Sequence, residues 1–125
     1  MKHTYHRLVH FADTDAAGVV HFSKLLCYTE EAEHDFLVKA GIPLLGDGGW
    51  PRVHVDCDFV SPLRLADVAE ITIAPDKIGV SSITWAFSVS CNERPIASGL
   101  TKCVRIDDDG NPVDLAPSWR QALTQ

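Results

Sequence analysis

Residues 10–43 read "HFADTDAAGVVHFSKLLCYTEEAEHDFLVKAGIP", and the fold turns on this stretch. From Phe22 onward apolar side chains recur at Leu25, Leu26, Ala32, Phe36, Leu37 and Ala40, the stripe of an amphipathic helix rather than the alternation of a strand. Gly41 and Pro43 end that pattern, because glycine accepts the left-handed cap and proline cannot continue the helix. A helix over residues 22–40 spans about 28 Å at 1.5 Å per residue. No other helical pattern in the chain is long. Ahead of it, Asp13 and Asp15 stand one residue apart and lead into Ala16-Ala17-Gly18, so residues 12–21 read as a loop. Two aspartates before a glycine commonly make a solvated turn. The same pair, set just before unpaired N–H groups of a helix N-terminus, can also bring a carboxylate to a ligand held there.

Outward from the helix, residues 3–11 alternate as a strand, with Tyr5, Val9 and Phe11 on one face and Arg7 among them. Residues 44–50, "LLGDGGW", form a glycine-rich loop. Strands follow near 52–60, 66–76, 80–92 and 95–107, where β-branched and aromatic residues concentrate. "NERP" at 92–95 reads as a hairpin turn, "DDDGNP" at 107–112 ends the last strand, and "PSWRQAL" suits a short terminal helix. A strand, one long helix and four strands in hairpin-like succession give an α+β layer architecture, not the βαβ alternation of a doubly wound sheet.

Composition limits the functions. The 125 residues suit one domain over 1–125, with 46% hydrophobic and 22% charged residues. No apolar run reaches the roughly 20 residues that cross a bilayer. The N-terminus "MKHTYHRLVHF" carries no signal-peptide hydrophobic region, so an intracellular, cytoplasmic protein is expected. Cys27, Cys57, Cys91 and Cys103 form no CxxC pair and read as reduced core residues, and no metal site is expected. The net charge of −6 argues against a nucleic-acid partner. It is compatible with an anionic small ligand held by a local group of Lys and Arg.

The stretch "ADTDAAGVVHFSKLLCYTEEA" resembles the signature of hotdog-fold acyl-CoA thioesterases of the 4-hydroxybenzoyl-CoA thioesterase type: D-x-D-x-x-G-[VI]-[VI], then a helix that opens on an aromatic residue. "WPRVHVDCDFVSPLRLADVAEI" resembles the strand that follows the central helix in that family. Within the family, Val53-His54 and the spacing of Phe59 and Pro62 look most like the dihydroxynaphthoyl-CoA thioesterases of menaquinone and phylloquinone biosynthesis. The resemblance implies a five-stranded antiparallel sheet wrapped around the long helix, an acyl-CoA substrate and no cofactor. It also implies a homodimer that assembles to a homotetramer, with sites at the dimer interface.

It assigns roles as well. Asp15 becomes the acid that attacks the thioester carbonyl or serves as general base for water, and the sequence does not choose between these. Asp13 becomes its structural partner. The backbone N–H of Phe22, in the first turn of the helix, becomes the oxyanion donor, and Gly18 supplies the bend between acid and helix. His54 is placed against a substrate hydroxyl or a water in the neighbouring subunit, and His21 at the pocket or the helix cap. Read from its own character, Trp50 suits either an apolar or aromatic acyl group or a buried anchor for its loop. Lys77, Lys102 and Arg105, with Arg64 in a loop, are candidates for the CoA phosphates. "DKIGVSSI" departs from the family in carrying only Lys77 where basic residues are often paired.

Rival assignments remain. Another branch of hotdog thioesterases uses a helix carboxylate, which Glu30, Glu31 and Glu33 offer; Glu30 and Glu33 are expected on a solvated or partner-facing side. A short-chain acyl-CoA or acyl-carrier-protein thioesterase shares most of these residues. A non-catalytic acyl-binding module shares the fold.

Overall fold

The computed structural model describes residues 2–125. Strand β1 (His3–Leu8) leads through a 3-10 turn, Phe11–Asp13, to helix α1 (Phe22–Lys39). Strands β2 (Arg52–Phe59), β3 (Val68–Ile78), β4 (Ser82–Cys91) and β5 (Arg94–Val104) follow, and helix α2 (Pro117–Thr124) closes the chain. The strands form one antiparallel sheet in the order β1-β3-β4-β5-β2. The α+β layer architecture read from the sequence is the one observed, with the five-stranded antiparallel sheet that the hotdog resemblance implied.

The core lies between α1 and one sheet face. Leu25, Tyr28, Ala32, Phe36 and Leu37 of the helix are buried with Ile71 and Ile73 of β3 and Ile83, Trp85, Phe87 and Val89 of β4. Their spacing of two along the strands and three or four along the helix is the geometric reason both faces close. Phe36 meets Trp85 edge to face at 5.2 Å. Strand β2 is a sheet edge, and Val53, Val55 and Phe59 on it are exposed. Among the described residues no helix is long and apolar enough to cross a membrane.

Several expectations need correction. Phe11 does not share a strand face with Tyr5 and Val9: β1 stops at Leu8, and Phe11 is 80% exposed. The cause is Asp13, whose carboxylate accepts the His10 N–H at 3.0 Å and turns the chain. Lys77 lies within β3 rather than in the turn after it. The last strand ends at Val104, which leaves Arg105 outside it. Cys27 is exposed, although Cys91 and Cys103 are buried and all four thiols are free.

Candidate active site

The loop ahead of α1 is a miniature hairpin. Thr14 pairs with Val20, the Asp15 N–H donates to Val19 O at 2.9 Å, and the Gly18 N–H donates to Asp15 O at 3.0 Å. Such a three-residue loop closes on a residue in the left-handed region, and Gly18 has φ +78°. A Cβ there would meet nothing within 4 Å, so glycine is needed for its backbone angle and not for space. Asp15 is exposed at the tip. Its Oδ1 accepts the Ala17 N–H at 2.8 Å, which orients the carboxylate, while Oδ2 has no partner among the described residues.

The hairpin feeds directly into the helix. His21 is the N-cap: its N–H donates to Asp13 O at 3.1 Å, and its Nδ1 accepts the Ser23 N–H at 3.3 Å. The next amide, that of Phe22, has no hydrogen-bond acceptor among the described residues. It is an orphan donor at the positive end of an 18-residue helix, the local charge pattern that attracts a developing oxyanion. The Phe22 ring is not in the core, as its place in the helical stripe suggested. It is 59% exposed and packs on the His21 ring with centroids 4.5 Å apart.

That ring lines a cleft of about 360 Å³ together with Val20, Leu25, Phe59, Val60, Pro62 and Leu63. The volume falls in the usual range for small-molecule sites.

Asp13 does not line this cleft. It is buried, and its Oδ2 accepts the Tyr28 hydroxyl at 2.6 Å and lies 3.3 Å from the Arg7 guanidinium. Burial works to raise its pKa, but the Tyr28 and His10 donors and the Arg7 charge outweigh burial and hold the carboxyl below the usual range. Arg7 also stacks over the Tyr28 ring at 4.7 Å and binds Glu31, which accepts from the Tyr5 hydroxyl. Asp13 therefore fastens the loop to β1 and α1.

A family model described as thioesterase-like superfamily matches residues 9–123. The chain belongs to the thioesterase-like superfamily. A 1,4-dihydroxy-2-naphthoyl-CoA hydrolase of Nostoc punctiforme is 37% identical over 112 residues, covering 86% of this chain and 76% of that protein. The Crocosphaera subtropica hydrolase of the same name is 37% identical, covering 83% and 82%. Among solved structures, a 1,4-dihydroxy-2-naphthoyl-CoA thioesterase from Synechocystis superposes with TM-score 0.91 at 27% identity, covering 100% of this chain and 97% of that one. A gentisyl-coenzyme A thioesterase superposes with TM-score 0.89 at 31% identity, covering 96% and 98%.

In this thioesterase-family chain the remaining site candidates lie elsewhere. His54, Lys102, Thr84 and Lys77 are successive cross-strand partners, so they form one row over β2, β5, β4 and β3. Ile83, Trp85, Thr101 and Cys103 beside that row are buried toward α1, which puts the row on the opposite sheet face. His54 is exposed, with Nε2 3.1 Å from Asp56. Trp50 belongs to a second cleft, with Glu30, His34, Leu44, Leu45 and Gly49, that shares no lining residue with the first. The Trp50 Nε1–H donates to Pro43 O at 3.0 Å, so the ring anchors its own loop.

Arg105 is not an open cation for a phosphate. It is buried, its guanidinium lies 5.1 Å from the Trp50 ring and 5.2 Å from the Trp119 ring, and it donates to Asp47 O at 2.6 Å. It ties the 44–50 loop to α2.

The helix glutamates are committed as well. Glu33 is fully buried rather than solvated, and both its oxygens accept from Arg52, at 2.7 and 3.0 Å. Glu30 takes a third Arg52 bond at 3.0 Å. Sequence reasoning missed this clamp. The signal available was Glu30 and Glu33 at a spacing of three, one helix face offered to a single cation.

Proposed function

We propose that this chain hydrolyses an aromatic acyl-CoA to the free acid and CoA, with 1,4-dihydroxy-2-naphthoyl-CoA the first substrate to test. The observation that carries the reading is the Phe22 N–H, without an acceptor among the described residues, at a helix N-terminus whose Phe22 ring lines an apolar cleft and which the loop of the exposed Asp15 feeds directly. A thioester carbonyl held by that N–H lies in the positive end field of α1, and its oxygen gains stabilisation as it becomes an oxyanion. Asp15 supplies the second requirement, as nucleophile or as general base for water. An acyl ring fits the cleft walls of Phe22, Phe59 and Leu25. The names of the relatives support the aromatic substrate.

The exposed apolar row of β2 supports a homodimer formed through that edge, and a tetramer built from it, because an open edge is a template for pairing. Lys77 and Lys102 supply cations for the CoA phosphates in that assembly. Free thiols suit a cytoplasmic enzyme.

Thiol release from a panel of CoA thioesters tests the reaction. Dihydroxynaphthoyl-CoA, 4-hydroxybenzoyl-CoA and benzoyl-CoA are expected to turn over faster than short straight-chain thioesters. Preference for the straight chains overturns the aromatic assignment, and no turnover of any thioester overturns the reaction.

A further inference from the structure

The cleft that Phe22 lines contains one polar side chain, Ser61, in a wall segment with Phe59, Val60, Pro62, Leu63 and Ile96. In an apolar cleft such a group either fixes the wall or reads the ligand. The backbone already fixes the wall: the Val60 and Ser61 N–H groups both donate to Ile96 O, at 2.8 and 3.2 Å. The Ser61 side chain is engaged differently. Its Oγ accepts from Nη1 of Arg94, which also donates to Pro62 O at 2.9 Å.

A serine hydroxyl that accepts from a guanidinium keeps its own proton free to donate, and the neighbouring charge polarises that O–H. Arg94 reaches the wall from the β4–β5 turn, where Cys91 pairs with Arg94 across two residues. Both turn residues are left-handed, Asn92 at φ 49° and Glu93 at φ 67°. This tight two-residue turn suits Asn but not Glu, yet it sets Arg94 at the first position of β5, beside the cleft. The guanidinium has one acidic neighbour among the described residues, Asp67 at 3.9 Å, and remains half-exposed.

The geometry points to Ser61 as a specificity residue: its hydroxyl, oriented by Arg94, donates to a ring oxygen of the acyl group seated in the cleft. The ligand feature it selects is a hydroxyl or phenolate on an aromatic ring, and Arg94 is a positioning residue that acts through Ser61. This assignment rests on the aryl-CoA reading above.

The test compares matched thioesters, dihydroxynaphthoyl-CoA and unsubstituted 2-naphthoyl-CoA, with thermal melting as a fold control. Affinity for the two corresponding free acids gives a readout that needs no turnover. Ser61→Ala is expected to lower kcat/KM for the hydroxylated thioester, and affinity for its acid, by about tenfold, with changes within about twofold for the unsubstituted pair. Arg94→Met is expected to move the same ratio in the same direction, and Arg94→Lys to move it less, because an ammonium still donates to Ser61. Equal losses on both thioesters in Ser61→Ala give it a structural role and overturn the assignment. An unchanged ratio overturns it too. A wild-type protein inert toward both thioesters and without affinity for either acid defeats the aryl-CoA reading itself, and the Ser61 assignment with it.

Discussion

Asp15→Asn is expected to lower kcat/KM for the preferred aromatic thioester by about 10²–10⁴-fold, the range for loss of a positioned acid or base. The change is nearly isosteric. The Asn side-chain oxygen still accepts the Ala17 N–H that Asp15 Oδ1 accepts now at 2.8 Å, and the hairpin bonds of residue 15 are backbone bonds. Stability should therefore move by no more than about 0.5 kcal/mol, as for exposed positions generally.

Asp13→Asn makes the contrast. Asp13 is buried under Tyr28, Arg7 and the His10 amide, and its substitution should cost stability, with activity lost only as far as the loop loosens. Steady-state kinetics and melting of both variants separate the two aspartates. Turnover that survives Asp15→Asn would remove Asp15 from the chemistry. The structure then offers no helix glutamate in its place without first breaking the Arg52 or Arg7 ion pairs.

The legible parts of this chain are those in which the signal is local. Leu25, Ala32, Phe36 and Leu37 repeat with the helical period, and Ile83, Trp85, Phe87 and Val89 alternate, so α1 and β4 follow from periodicity alone. The Asp15–Gly18 loop was legible because glycine is the residue that takes φ +78° without penalty. What escaped was the fate of charged groups. Arg105 and Lys102 look alike in sequence, yet Arg105 lies between two tryptophans distant in the chain while Lys102 stands on a sheet face. Whether a charge is buried depends on its tertiary partner, and no periodicity encodes the partner. Phe11 and Phe22 failed in the opposite sense. Their apolar character predicts burial, but a turn closed by Asp13 and a helix N-terminus at a cleft leave both exposed. Ser61 and Arg94 lie 33 residues apart and meet only because β5 lies beside β2.

Arg52→Met is expected to destabilise the protein by about 3–5 kcal/mol, the cost of leaving a buried carboxylate without its cation. Glu33 is fully buried and takes two Arg52 bonds, and the Thr101 hydroxyl accepts a further Arg52 N–H at 3.1 Å. Burial alone would lower the Arg52 pKa, but the Glu33 carboxylate outweighs it and raises the guanidinium above its ordinary value. Glu33 takes both of its bonds to this guanidinium, so removing one side orphans the other. Glu30→Gln removes only a half-exposed partner and should cost less than about 1 kcal/mol. Arg52→Met combined with Glu33→Leu should recover most of the loss, because an apolar pair needs no desolvation of charge. Denaturant unfolding of the single and double variants decides the matter: a double variant no better than Arg52→Met would mean the site requires the arginine's own shape. The consequence reaches the site through covalent continuity. Arg52 opens β2, and β2 runs into Phe59 and the cleft wall. A clamp between α1 and the start of β2 therefore helps hold the helix that carries the Phe22 amide against the strand that ends at Phe59 in the cleft lining. In Arg52→Met, aromatic thioester turnover should fall with temperature earlier than in the double variant.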